Sequence, residues 1–519
     1  MTRSLHSHHL FEALLARRAD APRRYDAFSG AMSQPRPAGP SRRIMTEAEA
    51  TSLARYVCDV LDQPGLNVEV KHVATVVSTQ HPDALPQCTD VDVLTVEWSI
   101  IIGHIRRVSL AISTDVRDAE TLRRVIEKAV PRPPEPPKTP LSPEDSAAQM
   151  RGESIYAPRV YTYLPVILWH DSTATAMETQ RGEMLARLCA PLVGTPWHGY
   201  ATVAATQEAH LVLDGKDGVR HAWGEATDSE ISLTVRDPEG TTAGWSGQAR
   251  RDWRELEPER VAQEAMRRAE QHRGAERVEP GRYTAILSAT AVGQLLHSMA
   301  PYYNVDWDGP FNLPGQKMVG DKDRKGERVF DPRITIRTNP ADPDGGDYPF
   351  YWGRTPYPSG AVTWVEHGVL QRRSSGITRA LELGLTPFRD PYCVRMSGGP
   401  TSVEEMISRC DRGLYVHRFS SVRRGGSQAG MMEGFTGGGC LFIMNGKITR
   451  PVKDFRFSES PFLVMNRVLA LGASERVAFG FGRTFENGWE QENRWPYPPV
   501  IAPPIMVLDF NFVALSDAV

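Results

Sequence analysis

The chain has 519 residues, enough for about two to four domains at ~150 residues each. Hydrophobic residues make up 40% and charged residues 24%, and 60 basic against 63 acidic side chains leave a net charge of −3, which excludes a surface built throughout for nucleic acid. No apolar run nears the ~18 residues of a membrane-spanning helix, and the start lacks the apolar core of a secretory signal.

The first 44 residues read as a flexible tail, with His6, His8 and His9, an arginine-rich stretch and Pro-Arg-Pro punctuation. Histidine clusters can bind metal, but three histidines on such a segment are more often a solvated terminus. Met45 is a credible alternative start, and the folded protein is expected to begin there. Thr46-Glu47-Ala48-Glu49 has the form of a capping box, and Leu53, Val57, Val60 and Leu61 recur at the spacing of an amphipathic helix. Val68-Glu69-Val70 alternates, and Leu94, Val96, Trp98, Ile100 and Ile102 place five apolar side chains on one strand face. Gly103-His104 then predicts a hairpin into residues 106–113. Asp118 to Val130 reads as a helix, so the order is helix, meandering strands, helix, as in an α+β domain.

Pro131 to Pro143 holds seven prolines in thirteen residues. Prolines lack backbone donors and favour extended conformations, so residues 131–150 read as an exposed insertion. Tyr161 to Trp169 is strand-like, Ala174 to Cys189 helical, and alternating runs follow at Tyr200–Ala205, Glu208–Leu213 and Glu230–Val235. The helix Pro258–His272 opens on proline and stops before Gly274. Residues 45–280 are therefore expected to form one α+β domain. Residues 281–519, richer in Gly, Pro and aromatics, are expected to form a second with strands and tight turns.

Chemistry-bearing patterns are sparse. The six cysteines, at 58, 88, 189, 393, 410 and 440, show no paired spacing, which suits a reduced cytoplasmic chain without a zinc ribbon. Gly437-Gly438-Gly439 leads into the strand Cys440–Met444 and reads as a turn or bulge, and Asn445-Gly446 suits a type I′ hairpin turn. Arg423-Arg424-Gly425-Gly426 reads as a solvated loop. His297 lies on a short apolar helix after the strand Tyr283–Ser288, where a lone histidine is more often packed than a ligand. Ser298, Tyr302, Tyr303, Asn304 and Asp306 nearby do not complete a zinc set at helical spacing.

Pro400 to Ile407, Arg412-Gly413-Leu414-Tyr415-Val416, Gly434-Phe435-Thr436, Leu441 to Ile448 with Pro451-Val452-Lys453, and Ala502 to Val507 resemble the TldD/PmbA family, also called the modulator of DNA gyrase family. Upstream, Glu279 to Tyr283 and Leu296-His297 resemble its central segment. The resemblance covers roughly residues 45–519 and is strong over about 280–519. It implies a cytoplasmic, dimeric, two-domain α+β protein associated with zinc-dependent peptide cleavage. In the family's active type, zinc sits on a His-Glu-x-x-x-His helix with a distant cysteine. The matching helix here reads His297-Ser298-Met299-Ala300-Pro301-Tyr302, and Ala478 to Gly482, where the cysteine should fall, contains none. Serine and tyrosine replace a carboxylate base and an imidazole ligand with weaker neutral groups, and Pro301 should end or kink the helix.

This resembles the family's metal-free PmbA (TldE) type. The resemblance implies no cofactor in this chain, zinc in a TldD-like partner subunit, and a peptide substrate, without nucleic acid or membrane. Two other readings stand beside a partner subunit of a heterodimeric peptidase. One is a stand-alone peptide-binding or regulatory homodimer. The other is a repurposed peptide-modifying enzyme using His297, Tyr302 or Asp306, with Tyr303 and Asn304 as candidate pocket residues. Trp307 and Phe311, close to Tyr302 and Tyr303, would line a cavity, a subunit contact or ordinary core.

Overall fold

A computed structural model of the chain describes residues 44–61, 66–80, 87–102, 105–114, 163–176, 178–214, 220–304, 325–350, 359–375, 390–391, 393–424, 430–480, 485–486, 489–490 and 499–516. The tail up to residue 43, the Gly103-His104 turn, the helix expected at Asp118–Val130, the proline-rich segment, Asp306, Trp307 and Phe311 lie outside the described residues.

Helix α1 (Glu47–Leu61) starts on the expected capping box. The Thr46 amide donates to Glu49 Oε2 at 2.7 Å and the Glu49 amide to Thr46 Oγ1 at 3.3 Å, so both orphan donors are satisfied. Ile44 and Met45 are already buried, so packing begins one residue before the expected start. An antiparallel sheet of six strands follows, in the order β3 (Ile105–Thr114), β2 (Gln87–Ile102), β1 (Leu66–Gln80), β4 (His198–Asp214), β5 (Arg220–Arg236), β6 (Ala243–Arg250). The two alternating runs at 200–205 and 208–213 are one strand, paired with β5 from His198↔Arg236 to Asp214↔Arg220.

Alternation gives this sheet two unlike faces, and all three helices pack on one of them, α1 at one end and the other two at the other. Leu66, Val68, Leu94, Val96, Trp98, Leu211 and Leu213 pack beneath α1. Ala201, Val203, Ile231, Leu233 and Val235 pack beneath α2 (Glu178–Cys189) and α3 (Pro258–Gln271). Helix α3 has Pro258 at its start and Gly274 at φ +73° just past its end, as expected. It lies so close to β6 that a Cβ at Gly244 would stand 2.3 Å from the Ala269 nitrogen.

The strand expected at Tyr161–Trp169 does not form in its described part, and residues 163–170 join no sheet. β6 covers only Ser229–Arg236 of β5, and at the uncovered end the Leu168 carbonyl accepts from the Thr227 amide at 2.9 Å, a single backbone bond rather than a ladder, while Pro165 lacks an amide donor. The segment lies instead on the face opposite the helices, with Leu168 packed among Val212, Ala222, Tyr348 and Phe350. The helix expected at 174–189 begins at Glu178 instead, as α2, and Ala174 ends a separate single helical turn, Asp171–Ala174.

The second half is built on a closed barrel of five strands. β12 (Arg412–Arg424) pairs parallel with β7 (Gly281–Leu287). β7 pairs with β21 (Ile505–Leu515), β21 with β15 (Phe455–Glu459), β15 with β13 (Met432–Met444), and β13 with β12, all antiparallel. Closing so few strands needs strong local bends, which bulges supply. Register shifts occur at Val416/Arg418, Ser420/Arg423, Arg456/Phe457 and Val507/Phe510. Ser421 and Asp509, inside two of them, take positive φ. Phe419, Phe455, Phe457, Phe510 and Phe512 fill the interior, with ring centroids 4.5 to 5.7 Å apart among contacting pairs. The barrel is a packed core.

Strands β14 (Lys447–Val452) and β16 (Val468–Leu471) extend β13 and β21 at the barrel's rim. Asn445 and Gly446 turn β13 into β14 with φ of 50° and 74°, the positive values a type I′ turn needs. A further sheet runs β10 (Val369–Leu370), β9 (Val362–Glu366), β8 (Ile336–Thr338), β11 (Val394–Met396), β20 (Val500–Ala502), β17 (Glu475–Arg476), and β18 (Phe485–Glu486) pairs with β19 (Trp489–Glu490). The Gly437–Gly439 run lies within β13, where Gly439 brings the strand against the ring of His272 at the end of α3. Arg418 of β12 stacks 4.3 Å over Trp245 of β6, a second contact between barrel and sheet. Among the described residues no helix is long and apolar enough to cross a membrane.

Candidate functional site

The candidate motif sits on α4 (Ala289–Met299). Ser288 caps it, accepting from the Ala291 amide at 3.3 Å while its hydroxyl donates to the His417 carbonyl on β12. Gln294 fastens the helix to the barrel. Its side-chain amide donates to the Phe419 carbonyl at 2.6 Å and accepts from the Phe419 N–H at 2.7 Å. Pro301 cannot donate to a continuing helix, so α4 ends at Met299 and tightens into a 3-10 turn at Ala300–Tyr303.

The motif positions diverge from one another. His297 is half-buried, its ring 5.9 Å from that of Phe479. Ser298 donates to the Gln294 carbonyl one turn back at 2.9 Å. Tyr302 is buried with its ring edge-on to Phe462 at 5.5 Å. Tyr303, a candidate pocket residue, packs instead in the core against Trp364 at 5.6 Å, and burial pushes its phenol far above the usual range. Asn304 donates to Asp390 Oδ1 at 3.0 Å, and its carbonyl accepts from Arg373 at 2.8 Å. The proline-induced turn brings both tyrosines into the core, Tyr302 against Phe462 and Tyr303 against Trp364. Among the described residues no three His, Cys, Asp or Glu side chains gather closely enough to hold a metal ion.

What faces α4 is the segment Glu475–Gly480, and its residues alternate. Val477 packs against α4, where a Cβ at Gly293 would come within 2.7 Å of it, and Phe479 meets His297. The intervening residues point the other way, to the six-stranded sheet. Arg476 forms an ion pair with Asp228 on β5, both almost wholly buried. Ala478 packs with Trp245 and Ala249. The Gly480 amide donates to Glu230 Oε1 at 2.8 Å, and the Phe479 amide bonds the same carboxyl. Burial is the main reason the Glu230 carboxyl is pushed up to about 7, with the Asp228 charge adding to it and Arg476 opposing it. Arg251, fully buried beside this group, donates to the Thr227 and Gly346 carbonyls, and burial lowers its guanidinium from the usual range.

Sequence reasoning missed Asp228, Glu230, Arg251 and Arg476. One signal was present. Asp228 and Glu230 lie two apart in a strand whose other face is Ile231, Leu233 and Val235, so both acids share the face away from the helices.

Residues 280–514 match the family model of the PmbA/TldA metallopeptidase C-terminal domain. The fold is similar to that of TldE from Thermococcus kodakarensis, with TM-score 0.67 and 14% identity over 89% of this chain and 99% of that one. It is also similar to two proteins described as candidate modulators of DNA gyrase. The one from Thermotoga maritima gives TM-score 0.65 and 15% identity over 90% of this chain and 100% of that one, and the one from Bacteroides thetaiotaomicron gives the same values. No characterised protein matches the chain by sequence.

Proposed function

The chain belongs to the TldD/PmbA family, its residues 280–514 carrying the family's C-terminal metallopeptidase domain, and we propose that within this family it is the subunit that does not hold the metal. It would complete a peptidase whose zinc and cleavage chemistry reside in a TldD-like partner chain, and peptides are the substrate class.

One observation carries this reading. The Ser298 hydroxyl is committed to the Gln294 carbonyl, and the Tyr302 ring is buried under Phe462, so the positions flanking His297 offer neither a carboxylate nor a second imidazole. The donors present do not fit zinc, which takes three convergent N, O or S ligands in a catalytic site. A helix kept in place by the Gln294 clamp and the Ser288 cap, yet without those donors, supports a scaffolding role for this half of the protein. The likeness in fold to TldE supports the same assignment.

The test is a peptide-cleavage assay on this chain alone, on a metal-bearing family partner alone, and on the two mixed. Cleavage only in the mixture, or a rise of at least tenfold over the partner alone, is the expected outcome. Equal cleavage with and without this chain would remove the support for a partner role.

A further inference from the structure

We propose that Asp228, Glu230, Arg251 and Arg476 form a proton-linked clasp, which holds the strip Glu475–Gly480 between the six-stranded sheet and α4 and loosens it when Glu230 ionises. The inference goes beyond the subunit assignment and stands whether or not that assignment is right.

The strip is sandwiched. Arg476, Ala478 and Gly480 face β5 and β6 through Asp228, Trp245 with Ala249, and Glu230. Val477 and Phe479 face α4 through Gly293 and His297. Among the described residues, edge pairing adds Glu475↔Ala502, Arg476↔Ile501 and a 3.0 Å bond from the Val477 amide to the Val500 carbonyl. The polar attachments to the sheet among the described residues include the Asp228–Arg476 pair and the two amides on Glu230. A shift of this strip moves Phe479 against His297, which couples the sheet to α4.

The charges around Glu230 make its proton decisive. On its own strand stands Asp228, from β17 comes Arg476, and beyond β6 lies Arg251, which also faces Cys393 and Tyr348. His297 lies on the far side of Phe479. The Nε atoms of Arg251 and Arg476 are buried and have no hydrogen-bond partner among the described residues, and Asp228 is the carboxylate whose charge acts on both Glu230 and Arg251. A protonated Glu230 still accepts the Phe479 and Gly480 amides through its carbonyl oxygen. An ionised one keeps those bonds and balances the second guanidinium, but it must hold a charge with almost no water. Glu230 is 5% exposed, and two amides and an arginine already paired with Asp228 do not replace the water it has lost, so burial outweighs them and its carboxyl is displaced upward.

Opening the strip hydrates Glu230 and returns it from about 7 to the ordinary value of 4.5. A group whose folded value is raised stabilises the closed form fully below 4.5 and loses that contribution as pH rises through about 7. Opening therefore becomes easier between pH 5 and 8, on the order of 100-fold for a shift of this size, and levels off above it. Local opening of this kind is what amide hydrogen exchange measures.

The experiment is amide hydrogen exchange on the full chain from pH 5 to 8, each rate divided by its intrinsic value, with the β4–β5 ladder as internal reference. The Phe479 and Gly480 amides should open on the order of 100-fold more readily at pH 8 than at pH 5. Glu230→Gln keeps the acceptor and cannot ionise, so its profile should be flat within about threefold while the reference ladder is unchanged. A wild-type profile that does not rise would overturn the proposal, and so would a Glu230→Gln profile as steep as wild type. If the variant fails to fold, the wild-type profile alone decides.

Discussion

Replacing Arg476 by methionine removes one half of the Asp228–Arg476 pair and leaves the other half buried. The two side chains are 4% and 6% exposed, so solvent cannot take over the role of the missing partner. Breaking a buried pair on one side costs about 3–5 kcal/mol, most of it the burden of an uncompensated charge. Asp228→Asn should be costly for the same reason, because Arg476 already has an Nε without an acceptor among the described residues. The double variant, with a neutral amide facing an apolar chain of similar volume, should lie within about 2 kcal/mol of wild type, since swapping a whole buried pair for neutral groups is often close to neutral. The two singles therefore sum to well over the double, a coupling of about 3 kcal/mol or more. Urea unfolding followed by tryptophan fluorescence suits the measurement, because Trp245 packs against Ala478 beside the pair. A cost below about 1 kcal/mol for Arg476→Met, or a double variant equal to the sum of the singles, would falsify the account of this junction.

Gly244→Ala should lower the melting temperature by several degrees, because the added Cβ meets the Ala269 nitrogen at 2.3 Å and the Ala265 carbonyl oxygen at 2.4 Å, and helix backbone cannot yield as a side chain can. Differential scanning fluorimetry reads this, and an unchanged melting temperature would contradict the close docking of α3 on β6. Gln294→Leu should cost about 2–3 kcal/mol in chemical unfolding, since it leaves both the N–H and the carbonyl of Phe419 without their partners. A loss under about 0.5 kcal/mol would mean the clamp between α4 and β12 contributes little.

The sequence disclosed what depends on neighbours along the chain. Thr46 with Glu49, Pro258 with Gly274, and Asn445-Gly446 are local signals, and each marks the element end or turn that the structure has there. The α+β class was legible for the same reason, from alternation in β1, β4 and β5 and helical spacing in α1 and α3. Barrel closure was not, because it rests on pairings such as β7 with β12 and β7 with β21, which join residues more than a hundred positions apart. Residues 163–170 have strand-like alternation, yet whether a sheet has room for them is decided elsewhere. The site divides in the same way. That His297 lies on a short helix, and that Pro301 ends it, could be read locally. That Tyr303 turns into the core against Trp364 follows from the turn Pro301 forces, and the pattern of residue types alone does not carry that direction. Asp228 and Glu230 look like the solvent-facing acids of an alternating strand. Their burial depends on Arg476 and Gly480, 248 and 250 residues further along.

The most direct test of the central claim is the zinc content of the purified chain, measured by elemental mass spectrometry after dialysis, for wild type and His297→Ala, each alone and after mixing with a metal-bearing family partner. The account predicts well under a tenth of a zinc per chain for the isolated protein, no change on His297→Ala, and zinc at one per pair in the mixture whether or not His297 is present. One zinc per isolated chain that survives dialysis and disappears in His297→Ala would contradict it.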